Sequence, residues 1–210
     1  MNKKGKEEAP VFQTDGWLIR FLTRVCDLMI LNILLILACV TVVFSGDGVV
    51  SLYAVTLRMH RGAEDSPGKS FLRALRGNFI PSAPAAPLLF TDVTLIAVLR
   101  QILFAETLVV SPALFVFFVI AAFFLTALLS YLFPLLARFE NSFLHHLGNA
   151  ARMAVVNLPV TFLLTAVHLL PVLLPLLFPQ ITGVVTAFWL LIGFSAGAYV
   201  NSFYLNRIFH

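Results

Sequence analysis

Charge is what this chain lacks. Only 11% of its 210 residues are Asp, Glu, Lys or Arg, while 60% are hydrophobic. A water-soluble domain of this length needs about 25% charged residues to cover its surface. Water is therefore excluded as the solvent for most of the chain, and the mean hydropathy of +0.96 points to lipid. Cysteine is nearly absent too: Cys26 and Cys39 lie in one apolar run. On a single helix their spacing corresponds to about 20 Å at 1.5 Å per residue, so they cannot bond to each other. No Cys and His spacing suggests a zinc site. The basic residues flank apolar runs instead of clustering, which argues against nucleic acid as a partner.

Catalytic signatures are missing as well. There is no Ser, His and Asp constellation, nucleophile elbow, phosphate loop or paired-carboxylate arrangement. His145 and His146 are adjacent and on a helix point to different sides, which disfavours a shared metal. The expectation is a chain that is not an enzyme and holds no cofactor.

What is present is a series of apolar runs. A membrane span needs about 20 predominantly apolar residues, and spans are expected at about Leu18–Phe44, Ala85–Phe104, Pro112–Ala137, Met153–Phe178 and Gly183–Tyr204. Gln180 falls in the short link between the last two, predicting a tight antiparallel hairpin. Residues 1–14 read as a disordered polar tail and 15–210 as a single transmembrane domain. The tail is not a signal n-region, because Glu7 and Glu8 follow Lys3, Lys4 and Lys6 and the apolar run beginning near Trp17 is too long.

Two further segments are apolar but not spanning. Val49–Met59 would be about 16 Å long as a helix, enough for half a bilayer at most. Lys69–Phe79 is amphipathic, with Phe71, Leu72, Leu75 and Phe79 on one side and Lys69, Arg73 and Arg76 on the other. That is the pattern of a helix lying in the membrane interface. Prolines 81, 84 and 87 separate it from the next span. The fold class expected is thus all-α: a polytopic helical bundle of five full spans, a short re-entrant or return helix, and an interfacial amphipathic helix.

Orientation turns on Gly46, Asp47 and Gly48. If they form the turn of a helical hairpin whose return arm ends at Met59, the clusters of Lys3 to Arg24 and Arg58 to Arg76 share one compartment with Arg138, Arg152 and Arg207. The positive-inside rule makes that compartment the cytoplasm and places both termini there. Glycine suits such a turn because it accepts backbone angles that other residues resist. A plain five-span arrangement with the N-terminus outside, segment 45–60 being simply extramembrane, stays open.

The blocks "GDGVVSLYAVTLRMHRGAED", "SFLRALRGNFIPSA", "YLFPLLARFENSFLHHLGNAARMAVVNLPVT" and "GAYVNSFYLNRIF" resemble the YesL family of uncharacterised bacterial membrane proteins, a domain of unknown function. The likeness runs from about Gly16 to Phe209, and "FPLLARFEN" with "NLPVT" is its most specific part. The chain departs at its acidic Ser45-Gly46-Asp47-Gly48 segment and at "PSAPAAP". The resemblance implies a bacterial cytoplasmic-membrane protein whose genes often neighbour carbohydrate uptake and glycan-degradation systems. It implies no catalytic or ligand residue.

Within the spans, Asp92 is ionisable and so a functional candidate; the plainer reading is an interfacial carboxylate capped by water or an arginine. Thr161, Thr165 and His168 fall on one stripe of a helix expected to be kinked by Pro159, Pro171 and Pro175. Such a stripe serves a substrate pathway or helix packing. Gly193, Gly197 and Asn201 share a face that permits close helix approach, within the bundle or in a homodimer. The function expected is a non-catalytic accessory or assembly partner of a carbohydrate uptake system, with a sugar transporter permease or other membrane protein as partner. Its interface would be Lys69, Arg73, Arg76, Arg138 and Arg152. The alternative is a small secondary transporter or channel using Asp92 and the threonine–histidine stripe.

Overall fold

The computed structural model describes residues 16–41, 44–62, 66–77, 82–104 and 111–209. The expected polar tail, Phe79 and the proline at 81 lie outside them. The described residues form eight helices and no strand. They are α1 (Trp17–Val40), α2 (Ser45–Met59), α3 (Pro67–Gly77), α4 (Ala85–Phe104), α5 (Pro112–Arg138), α6 (Phe143–Val156), α7 (Leu158–Leu177) and α8 (Thr182–Ile208). Five of them, α1, α4, α5, α7 and α8, are long and apolar enough to cross a membrane.

The shortest of the deeply placed helices sits at the centre. The 15 residues of α2 span about 22 Å, yet nearly all its side chains are buried among α1, α3, α4, α5 and α8. It runs antiparallel to α1. Gly48 faces Leu35 and Ala38 near one end, and at the other His60 stacks on Tyr199, the ring that also lies 6.0 Å from the Arg24 guanidinium carbon. The helical hairpin expected from the sequence is thus present, but its turn is not where it was expected. The reversal lies between Val40, the end of α1, and Ser45, the start of α2, and Gly46, Asp47 and Gly48 form the first turn of α2. Neither glycine has a positive φ. Space is the reason for Gly46: a Cβ there would lie 2.9 Å from the Ala86 backbone nitrogen and 3.2 Å from the Ser82 carbonyl oxygen.

Several boundaries differ from the sequence reading. The first span ends at Val40 instead of Phe44. The run expected to cross from Met153 divides at Asn157, whose φ of −108° and ψ of 46° leave the helical region. Before that break lies α6, a separate amphipathic helix; after it α7 begins. Pro159 therefore falls in the first turn of α7, where a missing N–H is not needed by the helix, and it does not kink a span as expected. Pro171 and Pro175 do lie inside α7. A 3-10 turn, Pro179–Ile181, links α7 to α8. In α3, Ser70 and Phe71 are buried while Lys69, Arg73 and Arg76 are exposed. Leu72, expected on the packed side, is 46% exposed.

Candidate functional site

In lipid, apolar burial does not drive helices together, so packing and interhelical hydrogen bonds specify the bundle. The polar side chains inside it fall into groups that each join two or more helices. The largest surrounds His168 of α7. Its Nδ1 lies 2.9 Å from the Leu164 carbonyl oxygen, an atom that only accepts, so the ring proton is assigned to Nδ1. Nε2 is then free to accept from the Tyr53 hydroxyl of α2 at 3.3 Å. Ser130 Oγ of α5 lies 3.2 Å from Nδ1 and donates to the Thr126 carbonyl at 2.8 Å. Asn201 Nδ2 of α8 lies 3.4 Å from both the imidazole and the Tyr53 oxygen. Four helices thus meet at one imidazole.

Asp92 is buried within the bundle. It is 7% exposed, and Thr126 Oγ1 donates to its Oδ1 at 2.8 Å. The residue joining it to the His168 group is Thr126, whose hydroxyl serves Asp92 and whose carbonyl serves Ser130. Thr161 lies on the same helix as His168 but pairs elsewhere, with the Tyr131 hydroxyl at 3.0 Å and the Ala154 carbonyl at 2.8 Å. Thr165 is buried, and its hydroxyl has no partner among the described residues. On α2, Asp47 accepts from Ser82 Oγ at 3.2 Å through Oδ1, while its buried Oδ2 has no partner among the described residues.

The glycines of α8 also pack inside the described fold. A Cβ on Gly197 would meet Val167 of α7 at 3.3 Å, and one on Gly193 would meet the Trp189 ring at 2.7 Å. Gly193 closes a π-helical turn, Trp189–Gly193, and the cause of that turn is Asn32 of α1. Its Nδ2 donates to the carbonyls of Trp189 at 3.0 Å and Leu190 at 2.8 Å, and its Oδ1 accepts from the Ser195 N–H at 3.0 Å. An inserted side chain that takes over ladder positions is a recognised origin of such turns. Ser195 Oγ returns the contact to the Leu28 carbonyl at 2.7 Å.

Sequence reasoning missed Asn32, Tyr53, Thr126, Ser130 and Ser195. The signal was available in part: a lone amide in the α1 run, and hydroxyls one turn apart at 126 and 130.

Cations gather at one end of the bundle. Arg24 and His60 meet at Tyr199. Arg138 is close enough to Arg61 to feel its charge, donates to Asn206 Oδ1 at 3.3 Å, and lies over the rings of Phe139 and Phe209. Arg207 lies 4.4 Å from the Phe203 centroid. Beside this end, α5 and α6 enclose a cleft of about 470 Å³ whose polar lining is Glu140, Asn141, His146, Asn149 and Arg152. His145 is exposed and His146 buried. Burial holds the His146 imidazole below its ordinary value, opposed by a hydrogen bond to the Phe139 carbonyl and assisted by His145.

No protein-family model, curated protein or solved structure matches this chain. Among the described residues no group of three or more His, Cys, Asp or Glu could hold a metal ion. The class the fold defines is a multi-pass helical membrane protein.

Proposed function

We propose that the protein is a non-catalytic accessory or assembly partner in a bacterial cytoplasmic membrane, acting beside a carbohydrate uptake system. The YesL-like blocks carry the carbohydrate association. The observation that supports a partner role is the division of polar groups: Asn32, Thr126, Ser130, His168 and Ser195 are engaged inside the bundle, while Arg24, Arg61, Arg138 and Arg207 gather at one end. By the positive-inside rule that end is cytoplasmic. The partner surface is then the exposed Lys69, Arg73 and Arg76 face of α3 together with Arg138 and Arg152.

The test is native extraction in a lipid-retaining polymer with identification of what elutes stoichiometrically. A transporter permease or glycan-processing protein is expected in the wild-type peak and lost from Arg73→Gln/Arg76→Gln. A partner retained by that double variant would overturn the placement.

A second reading, a small secondary transporter or channel, is favoured by one observation. Asp92, Thr126, Ser130, His168, Tyr53 and Asn201 form a connected polar series across the bundle. Ionisable intramembrane residues in such series are where proton and ion pathways run. Flux in proteoliposomes that is lost in Asp92→Asn would support it.

A further inference from the structure

Of the five helices able to cross a membrane, α4 is the least covered by the rest of the chain. Only 6% of its apolar stretch is buried, against 17–28% in the others. Its packing is against α5 and α2, and the buried Asp92 fixes which side faces α5, through Thr126. On the uncovered side, Pro87, Thr91, Thr94, Val98 and Gln101 follow the i, i+4, i+7, i+11, i+14 spacing of one helical stripe. All five are exposed.

Polarity sets this stripe apart from a surface made for acyl chains. Thr91 turns its hydroxyl back to the Pro87 carbonyl at 2.8 Å. Thr94 and Gln101, about 10 Å apart along the axis, make no side-chain hydrogen bond among the described residues. Hydrocarbon offers nothing to a hydroxyl or a carboxamide, whereas a neighbouring helix does. A further helix therefore belongs on the stripe.

The chemistry of the stripe selects its occupant. A hydroxyl and a carboxamide each donate and accept, so each is complementary to its own copy. Two copies of one chain insert in the same orientation. A two-fold axis along the membrane normal then sets α4 parallel to α4, with Thr94 opposite Thr94 and Gln101 opposite Gln101. Thr91, Thr94 and Val98 are small enough to let the two backbones approach. Asp92 and Arg100 fall on the other half of the helix, so no like charges meet at the axis. Gly193 and Gly197, the dimer candidates read from the sequence, are already used against Trp189 and Val167 of the same chain.

We propose that the exposed stripe of α4 is the interface of a parallel homodimer, in which Thr94 and Gln101 pair with their own copies across a two-fold axis. The interface stands apart from the accessory reading, since it uses none of the basic residues assigned to a partner.

The experiment is disulfide crosslinking of the full-length protein in its own membrane. The exposed Cys26 and Cys39 are first removed as Cys26→Ala and Cys39→Ala. Single cysteines are then introduced by Thr94→Cys, on the stripe, and by Val93→Cys, which is 56% exposed but lies about 100° around the helix from it. Mild oxidation should give a dimer from Thr94→Cys and little from Val93→Cys. Loss of interhelical hydrogen bonds at one position corresponds to on the order of a tenfold weaker association, so adding Gln101→Leu should lower the dimer yield about tenfold on dilution with lipid. Each altered side chain of α4 is exposed, so the changes leave the fold intact. Equal yields from the two cysteines, no dimer from Thr94→Cys, or a yield indifferent to Gln101→Leu would overturn the proposal. An adduct of Thr94→Cys with a different protein would overturn the second copy as occupant in favour of a partner span.

Discussion

The interior of the bundle and the α5–α6 cleft use the same residue types to opposite ends. Around Asn32 and His168, amide, hydroxyl and imidazole groups reach across to neighbouring helices at 2.8–3.4 Å. In the cleft, Glu140 and Arg152 are exposed and bond to nothing among the described residues, while His146 is buried with its Nδ1 enclosed. Thr165 Oγ1 and Asn201 Oδ1 are without a partner among the described residues in the interior too, so it is the bonds made between helices, and not the open atoms, that set the two regions apart. The difference teaches that polarity inside a membrane protein is not by itself a sign of a binding site; what matters is whether the neighbouring helices already use it.

If the interior groups are structural, the largest effect should come from Asn32→Leu. That change removes three hydrogen bonds to α8 at once, each worth roughly 1 kcal/mol in a membrane, so a loss of about 2–4 kcal/mol is expected in reversible unfolding in bicelles. The π turn should relax toward α geometry, displacing Asn201 from Tyr53 and Ser202 from Thr56, whose hydroxyls lie 2.8 Å apart. Unchanged stability would mean the turn is set by something other than Asn32. Next in size is Gly46→Ala, where the new methyl meets α4 backbone that cannot rotate away; overpacking of this kind costs about 1–3 kcal/mol. Gly48→Ala meets the Ala38 methyl at 3.0 Å and the end of the Leu35 side chain at 3.4 Å, so it should cost less. A reversed order would show that α2 and α4 are not held as closely as described.

Hydropathy made the five long apolar helices legible, because about 20 apolar residues in lipid can do little else than form a helix. The hairpin was legible from charge, since two basic clusters are reconciled by one reversal. What escaped was whatever depends on the distance between chains. Gly46 looked like a turn residue because glycine accepts unusual backbone angles, whereas its role is to let α4 approach. Asn157 carries a break that the continuous apolar composition around it concealed. His168 and Asn201 were singled out from separate stripes, but nothing in a linear pattern says that their helices converge on Tyr53. His146 was visible only as one of two adjacent histidines, and its burial required α5 to be placed against α6.

A smaller effect separates packing from transport within the interior. Thr126→Val deprives the buried Asp92 carboxylate of its donor and should cost about 1 kcal/mol. Asp92→Asn keeps an acceptor for Thr126 and should cost less than that. Thermal unfolding of both variants checks the order. Should Asp92→Asn leave the melting temperature unchanged and abolish an ion flux, the interior would carry a function beyond packing and the second reading would replace the first.

The smallest expected effect belongs to the cleft and depends on pH. Burial lowers the His146 pKa from its ordinary value of 6.5, so the fold favours the neutral ring. Below that value the unfolded chain binds more protons than the folded one, and stability must fall with pH. The stabilisation is complete above about pH 6.5 and is lost as pH drops through the folded value. The charged and titratable groups around the ring are His145 and Arg152 on α6, Glu140 before it, and Arg138 at the end of α5. As pH falls below about 6.5, wild type should therefore lose melting temperature, whereas His146→Gln should show a flatter profile. A wild-type profile as flat as that of His146→Gln would show that the folded ring is not held in its neutral form by burial.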